Sequence, residues 1–259
     1  MRVLMVGDIV GKPGRSAFAQ GLRLLKKEDR IDFVIANGEN AASGRGPTLE
    51  MAQSLLNMGA DVVTLGDHAW DAKEMVKGID LEPRIIRPEN FSKGAPGKGW
   101  IRVDTPEGEL VVVQLIGRVF MQPNYECPFA TIDKLLSPSM NFGKAIFVDF
   151  HGEASSERMA IGRYLDGRVS AVAGTHTHCQ TSDEQIFENG TAYITDLGMT
   201  GPSNSVLGRN VEPVIKKFCT GVPHKFDVAK GVSVLEGAII DVDMLTGKAR
   251  TIERIRLTF

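Results

Sequence analysis

His176 and His178, one residue apart, follow the short apolar run Val169–Ala173, which reads as the end of a buried strand. If that strand continued, alternate side chains would share a face and both imidazoles would point the same way. If the chain turns at Gly174, the pair sits in a loop just past the strand. Either arrangement lets both rings reach one centre, or two neighbouring centres. A lone His-x-His leaves metal binding and ordinary packing equally open. The other histidines tilt the balance. The chain has five, and His68 and His151 also follow strand-like runs, with only His224 outside such a setting.

Further apolar runs end in groups able to hold a cation. Val3–Val6 leads to Gly7-Asp8, Ile31–Ala36 to Asn37-Gly38-Glu39-Asn40, Asp61–Leu65 to Gly66-Asp67-His68, and Lys144–Phe150 to His151. In α/β sheets the C-terminal strand ends form the crevice where ligands bind, so these loops can converge. Carboxylates mixed with several imidazoles suit borderline divalent metals, with Fe or Mn foremost and Zn or Co as alternatives, rather than Ca or Mg alone. There are more groups than one ion needs, and two ions sharing a bridging carboxylate would use them all. Each residue also has an ordinary explanation. Asp8 and Asp67 could cap the segments that follow them. Glu39 could be a loop residue, Asn40 a turn former, and His68 and His151 packed histidines. Those explanations would have to hold jointly at five strand ends, which makes the metal reading the better one. Cys179 has no C-x-x-C partner and reads as packing, and His224 reads as a surface residue.

The elements that must carry these groups alternate. Strand-like runs at Val3–Val6, Ile31–Ala36 and Asp61–Leu65 are separated by helical patterns at Lys12–Leu25 and Leu49–Met58, with Pro47 expected as a first helical residue. That order predicts a parallel sheet with crossover helices. A helix over Asp71–Lys77, a short strand at Arg84–Ile86 and a hairpin of Trp100–Val103 with Leu110–Leu115 follow, then a long loop, Gly117 to Pro128. Ala154–Tyr164 has helical spacing. After Ala192–Thr195 come a glycine-rich loop at Gly198–Gly208, a helix around Glu212–Phe218, and strands at Lys225–Val228, Val232–Val242 and Lys248–Leu257. No linker or repeat interrupts the chain, so residues 1–259 are expected to form one domain.

Composition narrows the class. With 259 residues, a net charge of −2 and a pI near 6.2, the chain lacks the basic surface of a protein that holds long nucleic acid. Three scattered cysteines, Cys127, Cys179 and Cys219, suggest no disulfide framework and suit a reducing compartment. The N-terminus reaches Asp8 too soon for a signal-peptide core, and no apolar stretch is long enough to span a bilayer. A soluble cytoplasmic protein is expected, with no membrane partner. Apolar residues around Phe120, Tyr125 and Phe129 could pack on a neighbouring subunit, which leaves a homo-oligomer open.

The blocks Gly7-Asp8-Ile9-Val10-Gly11-Lys12-Pro13-Gly14, Asn37-Gly38-Glu39-Asn40-Ala41-Ala42, Gly66-Asp67-His68-Ala69-Trp70-Asp71, Asp149-Phe150-His151-Gly152-Glu153-Ala154, Gly174-Thr175-His176-Thr177-His178 and Ile194-Thr195-Asp196-Leu197-Gly198-Met199-Thr200-Gly201-Pro202 together resemble the YmdB-like bacterial metallophosphoesterases. The resemblance runs in order over nearly the whole chain. It implies the calcineurin-like α/β fold, a four-layer α/β/β/α sandwich of two facing mixed sheets. It also implies a dinuclear metal centre and phosphodiesterase activity on 2′,3′- and 3′,5′-cyclic nucleotides. Carried over residue by residue, Asp8 and His178 would hold one metal with Asn40 beside it, Glu39 would bridge, and Asp67, His151 and His176 would hold the other. His68 would be the proton donor or phosphate-contacting histidine. Broader metallophosphoesterases have a histidine where Val10 stands and bridge with Asp rather than Glu. Both departures resemble the YmdB-like branch. A third does not: most relatives read Gly-Asn-His where this chain has Gly66-Asp67-His68. The extra carboxylate is expected to tighten the second metal at some cost to its pull on a phosphate.

The chemistry implied is hydrolysis by a hydroxide made at two divalent ions, which lower the pKa of water from about 15.7 to roughly 7. His68 would protonate the leaving ribose oxygen. Arg163, Arg168, Arg118 and Lys12 are candidates for steering the anion, and the Ala41–Gly46 segment could cradle phosphate or simply turn the chain. Rival readings are a phosphomonoesterase or a nuclease acting on short RNA, and a non-catalytic, metal-dependent nucleotide sensor. A dinucleotide-binding fold is poorly supported, because Gly7, Gly11 and Gly14 miss the G-x-G-x-x-G spacing.

Overall fold

The computed structural model describes residues 1–28, 31–121 and 124–259. In chain order the first part runs β1 (Arg2–Val6), β2 (Asp8–Ile9), α1 (Gly11–Lys27), β3 (Phe33–Asn37), α2 (Leu49–Met58), β4 (Val62–Thr64), α3 (Lys73–Gly78) and β5 (Ile85–Ile86). The middle part is β6 (Trp100–Thr105), β7 (Gly108–Ile116), α4 (Pro128–Leu135), β8 (Ala145–His151), α5 (Ser155–Tyr164) and β9 (Ala171–Thr175). The last is β10 (Gln185–Ile186), β11 (Ala192–Ile194), β12 (Met199–Pro202), α6 (Val211–Thr220), β13 (Ser233–Val242) and β14 (Ala249–Thr258).

Two mixed sheets result. In the first, β1, β3, β4 and β5 are parallel, and β13 joins β1 antiparallel, with β12, β2 and β14 completing it. In the second, β7, β8, β9 and β11 are parallel, while β6 and β10 pair antiparallel at its edges. Period-two alternation divides each strand between two cores. Val3 and Met5 of β1 and Phe33 and Ile35 of β3 face Val112, Phe147, Ala171 and Ala173 of the other sheet. Leu4 and Val6 turn the other way, onto Phe18, Leu22 and Leu25 of α1 and Leu55 of α2. On the outer face of the second sheet, Val148 and Val172 pack with Ile132 of α4 and Ile161 of α5. The layers are therefore α/β/β/α, and strands covered on both sides read as continuous apolar runs.

Several local expectations change. Thr48, not Pro47, starts α2: its hydroxyl accepts from the Met51 amide at 3.3 Å, and Pro47 lies one residue outside. The loop ending at Pro128 gives way to α4, with Pro128 at its start and Thr131, Ile132 and Leu135 forming a buried stripe too short to stand out by periodicity. The stretch 225–228 is not a strand; Val228 makes only an isolated bridge to Arg209. The glycine-rich segment 198–208 contains β12, whose Met199 and Thr200 pair with Asp8 and Ile9.

Candidate metal centre

Parallel strands of both sheets, β1, β3 and β4 in one and β8 and β9 in the other, lead to polar groups that gather in one place. Strand β9 stops at Thr175, so His176 and His178 lie in the loop beyond it, both at positive φ (107° and 62°). The strand does not turn at Gly174. That residue lies inside β9, where a Cβ would come within 1.8 Å of the Thr195 carbonyl oxygen. Non-glycine residues avoid positive φ at a cost of about 1–2 kcal/mol each, so something must hold this loop. Thr177 does so: its amide and hydroxyl both donate to Asp196 Oδ2, at 3.1 and 2.6 Å. Asp196 is fully buried, receives Gly198 N–H on its other oxygen, and is paired with the buried Arg158 at 2.6 Å.

Four of the expected ligands converge. Donor atoms of Glu39, Asp67, His151 and His176 all lie within 4.8 Å of one another. His151 Nε2 is 3.2 Å from Glu39 Oε1, 3.0 Å from Asp67 Oδ1 and 3.0 Å from His176 Nδ1. The remaining three form a second group. His178 Nε2 is 2.9 Å from Asn40 Oδ1 and 3.9 Å from Asp8 Oδ1. Asp8 is wholly buried in β2; its Oδ2 accepts the His176 amide at 3.0 Å, and its Oδ1 has no hydrogen-bond partner. A buried carboxylate oxygen without a donor is costly unless a cation faces it. The donor set, mixed imidazole and carboxylate, is what a borderline divalent ion takes.

The other nitrogen of each ring is engaged so as to aim the ligand nitrogen inward, as orienting partners of metal-bound histidines do. His151 Nδ1–H donates to Thr175 Oγ1 at 2.9 Å, and that hydroxyl donates to Asp149 Oδ1 at 2.7 Å. Asp149, buried between the sheets, also accepts from Thr64 and Asn37. His178 Nδ1–H donates to the Leu207 carbonyl at 3.2 Å, and Leu207 is itself at positive φ (51°). His176 Nε2 lies 3.2 Å from Glu153 Oε2. The sequence pattern carries a signal for Glu153 alone, three residues from the end of a strand-like run. Asp149, Thr175 and Asp196 stand inside blocks that resemble the family, but nothing in the strand pattern marks them as orienting groups, and the Leu207 carbonyl leaves no sequence signal.

Charge balance in the cluster is strained. Burial pushes the Asp8 carboxyl well above its ordinary range, and the nearby Glu39 and Asp196 carboxylates add to it. Burial opposes charge on His151 as well, but Glu39, Asp67 and Asp8 more than offset it and raise its proton affinity well above normal. Asp67, despite partial burial, is held far below the usual carboxylate range by His151 and His176. For His178 burial dominates and favours the neutral ring.

His68 stands at the edge of the cluster, partly exposed. Asp71 accepts from its Nδ1 at 3.0 Å, and its Nε2 is 4.0 Å from Asp67 Oδ2. The Ala41–Gly46 segment is a turn: the amides of Ala42, Gly44 and Arg45 bond to carbonyls within it or at Asn40 beside it, and Gly46 N–H donates to Asp71. Of the steering candidates, Arg163 stacks on Phe187 and Arg168 pairs with Asp133. Lys12 lines a cavity beside Phe259. The cation at the cleft is instead Arg209, whose guanidinium donates to the Ser43 and Gly44 carbonyls. His224 lies outside the cluster, and no helix among the described residues is long and apolar enough to cross a membrane.

The description "YmdB-like protein" belongs to a family whose model matches residues 4–255. A 2′,3′-cyclic-nucleotide 2′-phosphodiesterase of Bacillus subtilis is 48% identical over 98% of this chain and 96% of its own length. A solved structure of a hypothetical protein from Thermus thermophilus superposes with a TM-score of 0.93 at 40% identity, covering 100% of this chain and 99% of that one. A structure described as a novel phosphatase from Mycoplasma pneumoniae gives 0.93 at 32% identity, covering 100% and 93%.

Proposed function

The chain belongs to the YmdB-like protein family, and from that premise we propose that it is a metal-dependent phosphodiesterase that hydrolyses cyclic nucleotides of the 2′,3′- or 3′,5′-cyclic AMP type. The observation that carries this reading is the convergence of Glu39, Asp67, His151 and His176, beside a second group in which His178 approaches Asn40 and Asp8. Asp8, Asn40 and His178 would hold one divalent ion, Asp67, His151 and His176 a second, and Glu39 would serve both. Such ions, Fe or Mn foremost, would neutralise phosphoryl oxygens and supply hydroxide at neutral pH. The buried, unpartnered Asp8 Oδ1 supports the first position.

The chain's own groups do the rest. Asp71 fixes the His68 ring through Nδ1 and leaves Nε2 facing the cleft. A proton on that nitrogen can pass to the departing ribose oxygen, a contribution on the order of 10² to 10⁴ in rate. The partial exposure of His68 lets it exchange protons with solvent between turnovers. His151, His176 and His178, each held through its other nitrogen, keep their ligand nitrogens aimed without reorganisation. One domain is supported by the core shared between the two sheets, and a cytoplasmic location by free, exposed Cys179 and Cys219.

The test is hydrolysis of 2′,3′-cyclic AMP by Mn²⁺-loaded protein, beside a chelator-treated sample and His68→Ala. Turnover that disappears on chelation, and that falls by on the order of 10²-fold or more in His68→Ala while bound Mn²⁺ is unchanged, is expected. Full activity in His68→Ala would remove that residue from the reaction. Bound metal without turnover of any diester would favour the nucleotide sensor.

A further inference from the structure

The candidate ligands lie between two separate apolar basins. Asn40 and His178 open onto a cavity of about 430 Å³ whose wall is Leu207, Val214, Phe218 and Phe226. Asp67 opens onto another of about 470 Å³, walled by Trp70, Phe91 and Tyr125. The two share no lining residue, and both are of the size that takes a small organic ligand. In the second, Tyr125 stacks on Phe91 at 5.1 Å and 13°, with Trp70 tilted against the same ring at 5.9 Å. In the first, Phe218 is 82% exposed, an aromatic side chain left uncovered at the rim of a polar cleft. Aromatic faces beside an anion-binding centre are what nucleobases stack on.

A cyclic mononucleotide returns both ester oxygens of its phosphate to one ribose, so it carries one base and fills one basin. A diester between two nucleosides carries a base on each side of the phosphorus. We propose that the cleft also takes a linear phosphodiester joining two nucleosides, as in a dinucleotide or the end of a short RNA. One base would lie against Phe218 and Phe226 and the other against Trp70 and Tyr125. This rests on the phosphodiesterase reading and extends it from one nucleoside to two. The reaction is hydrolysis: a water oxygen bonds to phosphorus, the ester bond to one nucleoside breaks, and a proton from water ends on that nucleoside's hydroxyl. The products are a nucleoside and a nucleoside monophosphate. The net charge of −2 suits a short substrate, since long nucleic acid relies on many phosphate contacts to lysine and arginine.

The experiment uses the Mn²⁺-loaded full chain with adenylyl-3′,5′-adenosine, following adenosine and AMP by chromatography, and 2′,3′-cyclic AMP in parallel. Wild type is expected to cleave both. Phe218→Ala and Tyr125→Leu should each raise the KM for the dinucleotide by about tenfold, the scale of one lost stacking contact, and their effects should multiply in the double variant. With the cyclic mononucleotide the two variants should differ, because a single base occupies a single basin. Cleavage of cyclic AMP but not of the dinucleotide overturns the proposal and leaves the phosphodiesterase reading intact. Failure to cleave either overturns that reading too. A Phe218→Ala variant whose dinucleotide KM is unchanged but whose sedimentation shifts would assign that rim to a second copy of the chain, and would also overturn the proposal.

Discussion

Replacing Thr177 with valine should loosen metal binding at both donor groups while leaving the fold in place. Valine has the same shape and branching as threonine but lacks the hydroxyl, so it deletes the 2.6 Å bond to Asp196 Oδ2. A hydrogen bond to a charged group contributes about 1.5–3 kcal/mol. Asp196 would keep Arg158, Gly198 N–H and the Thr177 amide, so no buried acceptor is orphaned and the loss falls near the lower figure. That equals the strain of holding one of the two histidines at positive φ, about 1–2 kcal/mol. With the clamp weakened, the loop can relax, and binding must then restore it at a cost of about 1.4 kcal/mol, or roughly tenfold in affinity. Calorimetric titration of Mn²⁺ into chelator-stripped wild type, Thr177→Val and Thr177→Ser reads this directly, with serine expected to restore most of the affinity. If Thr177→Val binds Mn²⁺ within about twofold of wild type while melting about 2–4 °C lower, the bond serves general stability and the clamp argument fails.

Two further expectations concern charge. Asp67→Asn keeps the side chain's shape but removes one of the carboxylates around His151, so Mn²⁺ affinity should fall by on the order of tenfold and turnover of the fully loaded enzyme should rise; calorimetry and kcat that both match wild type would contradict this. In chelator-treated protein, burial raises the proton affinity of Asp8 and the surrounding carboxylates raise that of His151, so stability should fall as pH rises above about 4 through Asp8 and above about 6.5 through His151. Mn²⁺ binding displaces those protons, so the loaded protein should show a flatter or rising melting temperature over the same span, and parallel curves would refute the assignment.

The candidate metal-holding residues were readable because they gather at five strand ends. Gly7-Asp8, Gly38-Glu39-Asn40 and Gly66-Asp67-His68 announce a strand end by the break in apolar pattern, and the parallel arrangement then brings the ends to one rim. What orients the ligands comes from elsewhere in the chain and so leaves no local pattern. Thr175 and Asp149 steady His151 from two strands, Asp196 reaches Thr177 from just past the end of the neighbouring β11, and the group facing His178 Nδ1 is a backbone carbonyl. Strand β2 has only two residues and α4 only eight, too few for periodicity to register. The same distinction separates reaction type from tuning. Residue types at strand ends are enough to point to a divalent metal, and the resemblance of whole blocks to one family adds the phosphate ester. Whether His176 and His178 are held at positive φ, and whether Asp67 binds metal tightly enough to slow it, depends on neighbours up to 168 residues away, such as the Asp8 carboxylate on the His176 amide. Substitutions at Thr177, Asp149 or Glu153 should therefore alter metal affinity and rate without changing which bond is broken, whereas loss of Asp8 or Glu39 removes the basis for the reaction itself.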